Sequence, residues 1–229
     1  MVIRGVVFDV DDTLYLERDY VRSGFGHVAR IVASDDGDVV ALEHWLWAAY
    51  EAGTRGDTFD RLLGAFPAIA ERHTVPELVA AYRTHVPAIR LTDGTARVLD
   101  RLSSIGLRLG VLTDGPVESQ SAKVVALGLH RWCDPIVLTA ALGPSAYKPG
   151  TTGFASIATA WALAPHEIAY VADNPLKDFA GPRALGWRTV RLRDPRQERY
   201  ELEPATATDA PDLEIGTLRD LGSILPIGG

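Results

Sequence analysis

The chain has 229 residues, 47% of them apolar and 23% charged, with a formal net charge of −7. That length and balance support one full domain carrying an insertion, or two small domains, and exclude general disorder. The acidic surface argues against nucleic acid as a main partner, and the single cysteine, Cys133, excludes an intrachain disulfide and fits a reducing compartment.

In chain order, the Val-rich run Ile3 to Val10 predicts a buried strand that ends in acidic turn residues. It is too short for a signal peptide, and no window approaches 18 uncharged apolar residues. A cytoplasmic protein with no membrane segment is expected. Residues 16–90 contain no clear strand. They read as helices over Tyr20–Ala33, Val39–Ala52, Asp57–Ala65 and Val75–His85, with Trp45, Trp47 and Tyr50 offering an apolar seam. From 91 onward strands and helices alternate. The strands fall at Leu107–Thr113, Ile136–Thr139, Ile168–Ala172 and Arg188–Leu192. The helices fall at Thr95–Ile105 after an Asp93 N-cap, Glu118–Leu127, Thr152–Ala162 and Lys177–Leu185, and a last short strand and helix follow Pro211. The expected architecture is α/β: a Rossmann-like parallel sheet flanked by helices over 1–15 and 91–229, with an α-helical cap over 16–90 inserted after strand one.

Chemistry-bearing residues gather where strands end, the edge at which open α/β sheets bind ligands. Asp9 and Asp11 follow the first strand. If the chain is still extended there, they face one site and need a cation or a proton between them. A hard divalent ion such as Mg²⁺ takes such oxygen ligands. Taken alone, the pair is equally an acidic turn. Thr113, Asp114 and Gly115 stand at the next exit, where a hydroxyl and free N–H groups suit a phosphate but also suit an ordinary turn. Lys148 is one of only three lysines among 23 basic residues. Where any cation serves, this chain uses arginine, so a lysine there points to a need for a compact charge. Asp173 and Asp178 follow the strand Ile168–Ala172; the bland reading is a helix cap. No HxH or HExxH spacing and no second cysteine supports zinc.

Together these residues resemble one family. The segment DVDDTL, then Thr113, Lys148 and the Asp173/Asp178 pair, is similar to the four motifs of the haloacid dehalogenase-like hydrolase superfamily. The flanking strings TDGPVESQSAKVVALGL and YVADNPLKDFAGPRALGWRTVRL resemble phosphatase-type members with a helical cap after strand one. Ala172 departs from the pattern, standing where many members have glycine.

The resemblance implies a Mg²⁺-dependent phosphatase acting on a small phosphorylated metabolite. In it, Asp9 is the nucleophile and forms an aspartyl-phosphate. Asp11 is the acid and then the base, and also gives its carbonyl to the metal. Thr113 and Lys148 hold the phosphoryl oxygens, with Asp114 and Gly115 beside them. Asp173 ligates the metal and Asp178 supports it. Asp12 reads as a turn residue, Gln120 and Lys123 as helix-surface or outer residues, and Lys177 as solvent-exposed. Two alternatives share the fold. A phosphomutase or phosphotransferase would use the same residues. A true dehalogenase lacks the second aspartate, which Asp11 argues against. A non-catalytic binder would be marked by loss of a motif residue, and none is lost. Nothing in the chain sets an oligomeric state.

Overall fold

A computed structural model describes residues 2–226 of the protein. The chain divides into two compact units, one of 1–17 with 90–229 and one of 18–89.

The larger unit is built on six parallel strands: β1 (Gly5–Phe8), β2 (Arg108–Thr113), β3 (Cys133–Leu138), β4 (Ile168–Ala172), β5 (Arg188–Leu192) and β6 (Leu213–Ile215). Their order is β3-β2-β1-β4-β5-β6. The order reverses at the β1/β4 pair, where open parallel sheets leave a crevice for ligands beyond the strand ends. Phe8 pairs with Val171, and the Asp9 amide donates to the Val171 carbonyl at 2.9 Å. The residues leaving β1 and β4 therefore emerge side by side.

Val6, Val7 and Phe8 are all fully buried, the pattern of a central strand covered on both faces. On one face Val7, Leu112, Ile157, Phe154, Phe179, Tyr170 and Trp187 form a continuous core. Trp161 completes it by lying over two strand glycines. A Cβ at Gly5 would come within 2.6 Å of its indole ring and one at Gly110 within 2.9 Å, so both strands present bare backbone to the ring.

The smaller unit is helical. It comprises most of α1 (Glu17–Val32), then α2 (Asp36–Glu51), α3 (Thr58–Ala65), α4 (Pro67–Ala70) and α5 (Val75–Thr84). Asp35 Oδ1 caps α2 by accepting from the Asp38 amide at 2.9 Å. At α5 the Glu77 carboxylate accepts from the Thr74 amide at 2.7 Å. Its core is Phe25, Val28, Leu42, Leu46, Tyr50, Leu62 and Leu78. The expected Trp45–Trp47–Tyr50 seam is thus corrected: Leu42, Leu46 and Tyr50 recur at i+4 and take the core face, while both tryptophans flank it, partly buried.

The remaining helices belong to the larger unit: α6 (Thr95–Ser104), α7 (Val117–Ala126), α8 (Thr152–Trp161), α9 (Ala180–Ala184) and α10 (Leu221–Ile224). Two sequence expectations fail here. Asp93 does not cap α6; the chain enters through Gly94 at φ +85°, and the Thr95 amide donates to the Thr92 carbonyl. The helix expected from Lys177 starts only at Ala180. Residues 174–178 instead form a turn in which the Asn174 side chain accepts from the Leu176 amide at 3.0 Å, and Asp178 Oδ2 accepts from the Asn174 amide at 2.9 Å. Among the described residues no helix is long and apolar enough to cross a membrane.

Candidate active site

Every strand-exit residue singled out in the sequence lies at the same edge of the sheet. Asp9 leaves β1, Thr113 ends β2 and is followed by Asp114, Lys148 follows β3, and Asp173 and Asp178 follow β4.

Asp9, Asp173 and Asp178 form the centre. Each is buried, and each offers one carboxylate oxygen that lies within 4.8 Å of the others. Lys148 is the cation that meets them. Its Nζ stands 3.1 Å from Asp9 Oδ1 and 2.7 Å from Asp178 Oδ1, with its side chain wholly inaccessible to solvent. It also donates to the Tyr170 hydroxyl at 3.0 Å. Burial alone would lower the Lys148 pKa, but Asp178 and Asp9 more than reverse this and hold it above the usual lysine range.

One lysine does not balance three carboxylates. Burial, reinforced by the charges of Asp178 and Asp9, pushes the Asp173 carboxyl well above its ordinary value. Burial also raises Asp9, against the attraction of Lys148. Asp173 Oδ2 is buried with no hydrogen-bond partner. An orphaned oxygen among three converging carboxylates fits a hard divalent cation, which takes such oxygens and supplies the missing positive charge.

Asp11 sits apart from this cluster. The chain bends at Val10 instead of continuing extended, so the two carboxylates find different partners. Asp11 Oδ1 accepts from Lys123 Nζ at 2.7 Å and from the Tyr15 hydroxyl, and Oδ2 accepts from Gln120 Nε2 at 2.9 Å. Burial works to raise the Asp11 carboxyl, yet these three donors, Lys123 foremost, hold it below its ordinary value. Asp12, expected as a turn residue, takes a left-handed φ of +52°. Its carboxylate accepts from the Glu17 and Glu198 amides at 2.8 and 2.9 Å, and burial pushes it up to about 7.

Around Thr113, Gln120 Nε2 donates to Oγ1 at 2.7 Å. Asp114 Oδ1 accepts from the Thr139 hydroxyl at 2.7 Å, and Lys177 lies 3.5 Å from Oδ2. Gly115 has φ +134°, and a Cβ there would press on the Gln120 amide at 3.3 Å. Arg191 is fully buried and donates to the Asp173 carbonyl at 3.1 Å, tying β5 to the loop that carries the carboxylate.

Of the two places open to Gln120 and Lys123, a helix surface or the outer part of the site, both take the second, and the solvent-exposed position expected for Lys177 is corrected. Gln120 and Lys123 are buried, and Lys177 is ion-paired and two-thirds shielded. All three lysines meet carboxylates at this sheet edge, so the rarity of lysine marks Lys123 and Lys177 as well as Lys148. Helical spacing carried a second signal, because Gln120, Lys123, Val124 and Leu127 share one face of α7. Tyr15, Tyr170 and Arg191 went unremarked.

A parallel sheet that brings converging carboxylates, a buried lysine and a hydroxyl to its reversal point has the layout of a hydrolase core. The chain belongs to the haloacid dehalogenase-like hydrolases, whose family model matches residues 3–186. It is similar, at 30% identity over 227 residues, to a glyceraldehyde 3-phosphate phosphatase of Methanopyrus kandleri, with 96% of each chain covered. Its fold matches the putative HAD-hydrolase YfnB of Bacillus subtilis with a TM-score of 0.69 at 19% identity, over 99% of this chain and 100% of the other. It also matches the L-2-haloacid dehalogenase of Xanthobacter autotrophicus with a TM-score of 0.64 at 19% identity, over 97% and 98%. The fold is therefore shared by enzymes with different chemistries, and the choice among them rests on the site.

Proposed function

We propose that the protein is a Mg²⁺-dependent phosphatase that hydrolyses a small phosphate monoester through an aspartyl-phosphate on Asp9. The observation that carries this reading is the separation of two aspartates. Asp9 lies in the Asp173–Asp178–Lys148 cluster, whereas Asp11 is held outside it by its own donors. Two carboxylates in different surroundings can take different roles.

Asp173, with Asp9 and the Asp11 carbonyl, would hold the metal, and Asp178 would support Lys148. When bound, the cation neutralises charge on the phosphoryl oxygens and on the Asp9 carboxylate. The Asp9 oxygen attacks phosphorus and the bond to the leaving oxygen breaks. Asp11 gives that oxygen a proton. Water then attacks the phosphorus, Asp11 takes its proton, and the bond to Asp9 breaks. Thr113 and Lys148 hold the transferring oxygens, with Asp114 and Gly115 shaping the loop beside them. As it stands, Asp11 is in its basic form; an arriving phosphate dianion raises its proton affinity and prepares it to act as the acid.

The helical unit 18–89 is assigned the role of a cap, on the family resemblance and its insertion after β1. Similarity to the Methanopyrus kandleri enzyme makes a three-carbon sugar phosphate the first substrate to try. The buried, unpaired Cys133 supports a reducing, cytoplasmic setting. The reading is tested by assaying phosphate release from glyceraldehyde 3-phosphate and p-nitrophenyl phosphate with Mg²⁺, then with EDTA, then with Mg²⁺ restored. Activity that EDTA leaves untouched would count against it.

A further inference from the structure

Gln120 and Lys123 stand three residues apart on α7, so their side chains leave the helix on one face. Both are buried and both end on Asp11. Lys123 Nζ lies 2.7 Å from Oδ1 and Gln120 Nε2 lies 2.9 Å from Oδ2, so each oxygen of the carboxylate has its own donor from this helix. The same Gln120 nitrogen reaches Thr113 Oγ1 at 2.7 Å and the Asp114 carbonyl at 2.6 Å. One amide therefore ties the exit of β1 to the exit of β2. The absent side chain of Gly115 leaves room for that amide.

Packing alone does not account for these residues. Val124 and Leu127 on the same face already supply apolar anchors for α7. Burying a lysine and an amide costs desolvation, and a buried ion pair is seldom more stabilising than apolar groups of the same size. What the polar pair supplies is direction. A carboxylate gripped at both oxygens cannot rotate toward the Asp9–Asp173–Asp178 cluster.

We propose that Gln120 and Lys123 are positioning residues for Asp11, fixing its carboxylate where it serves the leaving-group oxygen and keeping it out of the metal cluster. The inference rests on the functional reading above. Its signature is a dependence on the leaving group. Nitrophenolate departs without a proton, whereas an alkoxide requires one, and kcat/KM covers only the steps through its departure. Misplacing the acid therefore slows alkyl esters selectively.

The test uses Lys123→Met and Gln120→Leu, each checked for native circular dichroism, assayed with Mg²⁺ on glycerol 3-phosphate and on p-nitrophenyl phosphate. For the alkyl ester kcat/KM is expected to fall about tenfold or more, a part of the usual contribution of general acid catalysis. For the aryl ester Lys123→Met is expected to stay within about threefold of native, while Gln120→Leu, which also releases Thr113 Oγ1, is expected to lose more on the alkyl ester than on the aryl one. Lys123→Arg is expected to regain part of the alkyl activity. Equal losses on both esters, no loss on either, or a rise in KM alone (the mark of a direct phosphate ligand) overturns the proposal. A native protein that hydrolyses only the aryl ester also overturns it, since no acid is then at work. A native protein that hydrolyses neither ester sinks the functional reading itself, and the two failures are thus told apart.

Discussion

Replacing Lys148 with methionine keeps the length and apolar stem of the side chain and removes only its charge. In the native site that charge lies 3.1 Å from Asp9 and 2.7 Å from Asp178, fully shielded from water. Without it, three buried carboxylates face one another and lose the cation that pairs with Asp9 and Asp178. Removing one partner of a buried pair costs about 3–5 kcal/mol. That is about a fifth or more of the roughly 5–15 kcal/mol that holds a domain together. For a chain of this length it corresponds to a Tm lowered by about 6–20 °C. The measurement is urea unfolding of metal-free native and Lys148→Met protein, followed by tryptophan fluorescence.

The deficit carries a pH dependence of known sign. Burial already raises Asp9 and Asp173 in the native protein. A carboxyl raised on folding binds its proton more tightly in the folded chain. It favours the folded state at low pH and turns against it as pH climbs from the unfolded toward the folded pKa. Loss of Lys148 raises Asp9 further, so the variant is expected to lose more stability at pH 8 than at pH 5. Added Mg²⁺ is expected to restore part of the loss by replacing the missing charge. A variant within about 0.5 kcal/mol of native at both pH values refutes the reasoning, since that is the size of an ordinary surface change.

Two further outcomes follow from packing. A Cβ at Gly181 would clash with the Pro149 carbonyl and lie 3.2 Å from the Phe154 ring. Gly181→Ala must therefore push the segment that carries Lys148, costing about 1–3 kcal/mol and lowering kcat, as read by urea unfolding and steady-state assays; a variant unchanged in both would contradict the contact. Burial pushes the Cys133 thiol up to about 12, so at pH 8 native protein is expected to resist 5,5′-dithiobis(2-nitrobenzoate) until it is unfolded; rapid labelling of the folded chain would contradict the burial.

Much of the site was legible because parallel strands have a simple grammar. Their apolar runs mark buried strands, and the polar residue that ends each run stands at the ligand edge. Ile168–Ala172 and Arg188–Leu192 match the observed strands residue for residue. Asp9, Thr113 and Asp173 are brought to that edge by a strand ending, and Lys148 and Asp178 by the segments that follow β3 and β4. Gln120 and Lys123 were harder to see because they sit inside a helix, where a polar residue is ordinarily a solvated one. Only the shared face with Val124 and Leu127 shows that they point inward. The bend at Val10 was hidden for another reason. It depends on the left-handed turn at Asp12, which is stabilised by amides as distant as that of Glu198. Arg191 could not be read at all, since an arginine in a short strand gives no sign that it will be the largest fully buried side chain.

The most direct test of the site asks where the phosphoryl group goes. Protein turning over glyceraldehyde 3-phosphate or p-nitrophenyl phosphate with Mg²⁺ is quenched in acid, digested and mapped by mass spectrometry. The expected result is one phosphoryl group on Asp9, with neither adduct nor phosphate release in Asp9→Asn. Turnover that survives Asp9→Asn, or a phosphoryl group on any other residue, contradicts the assignment.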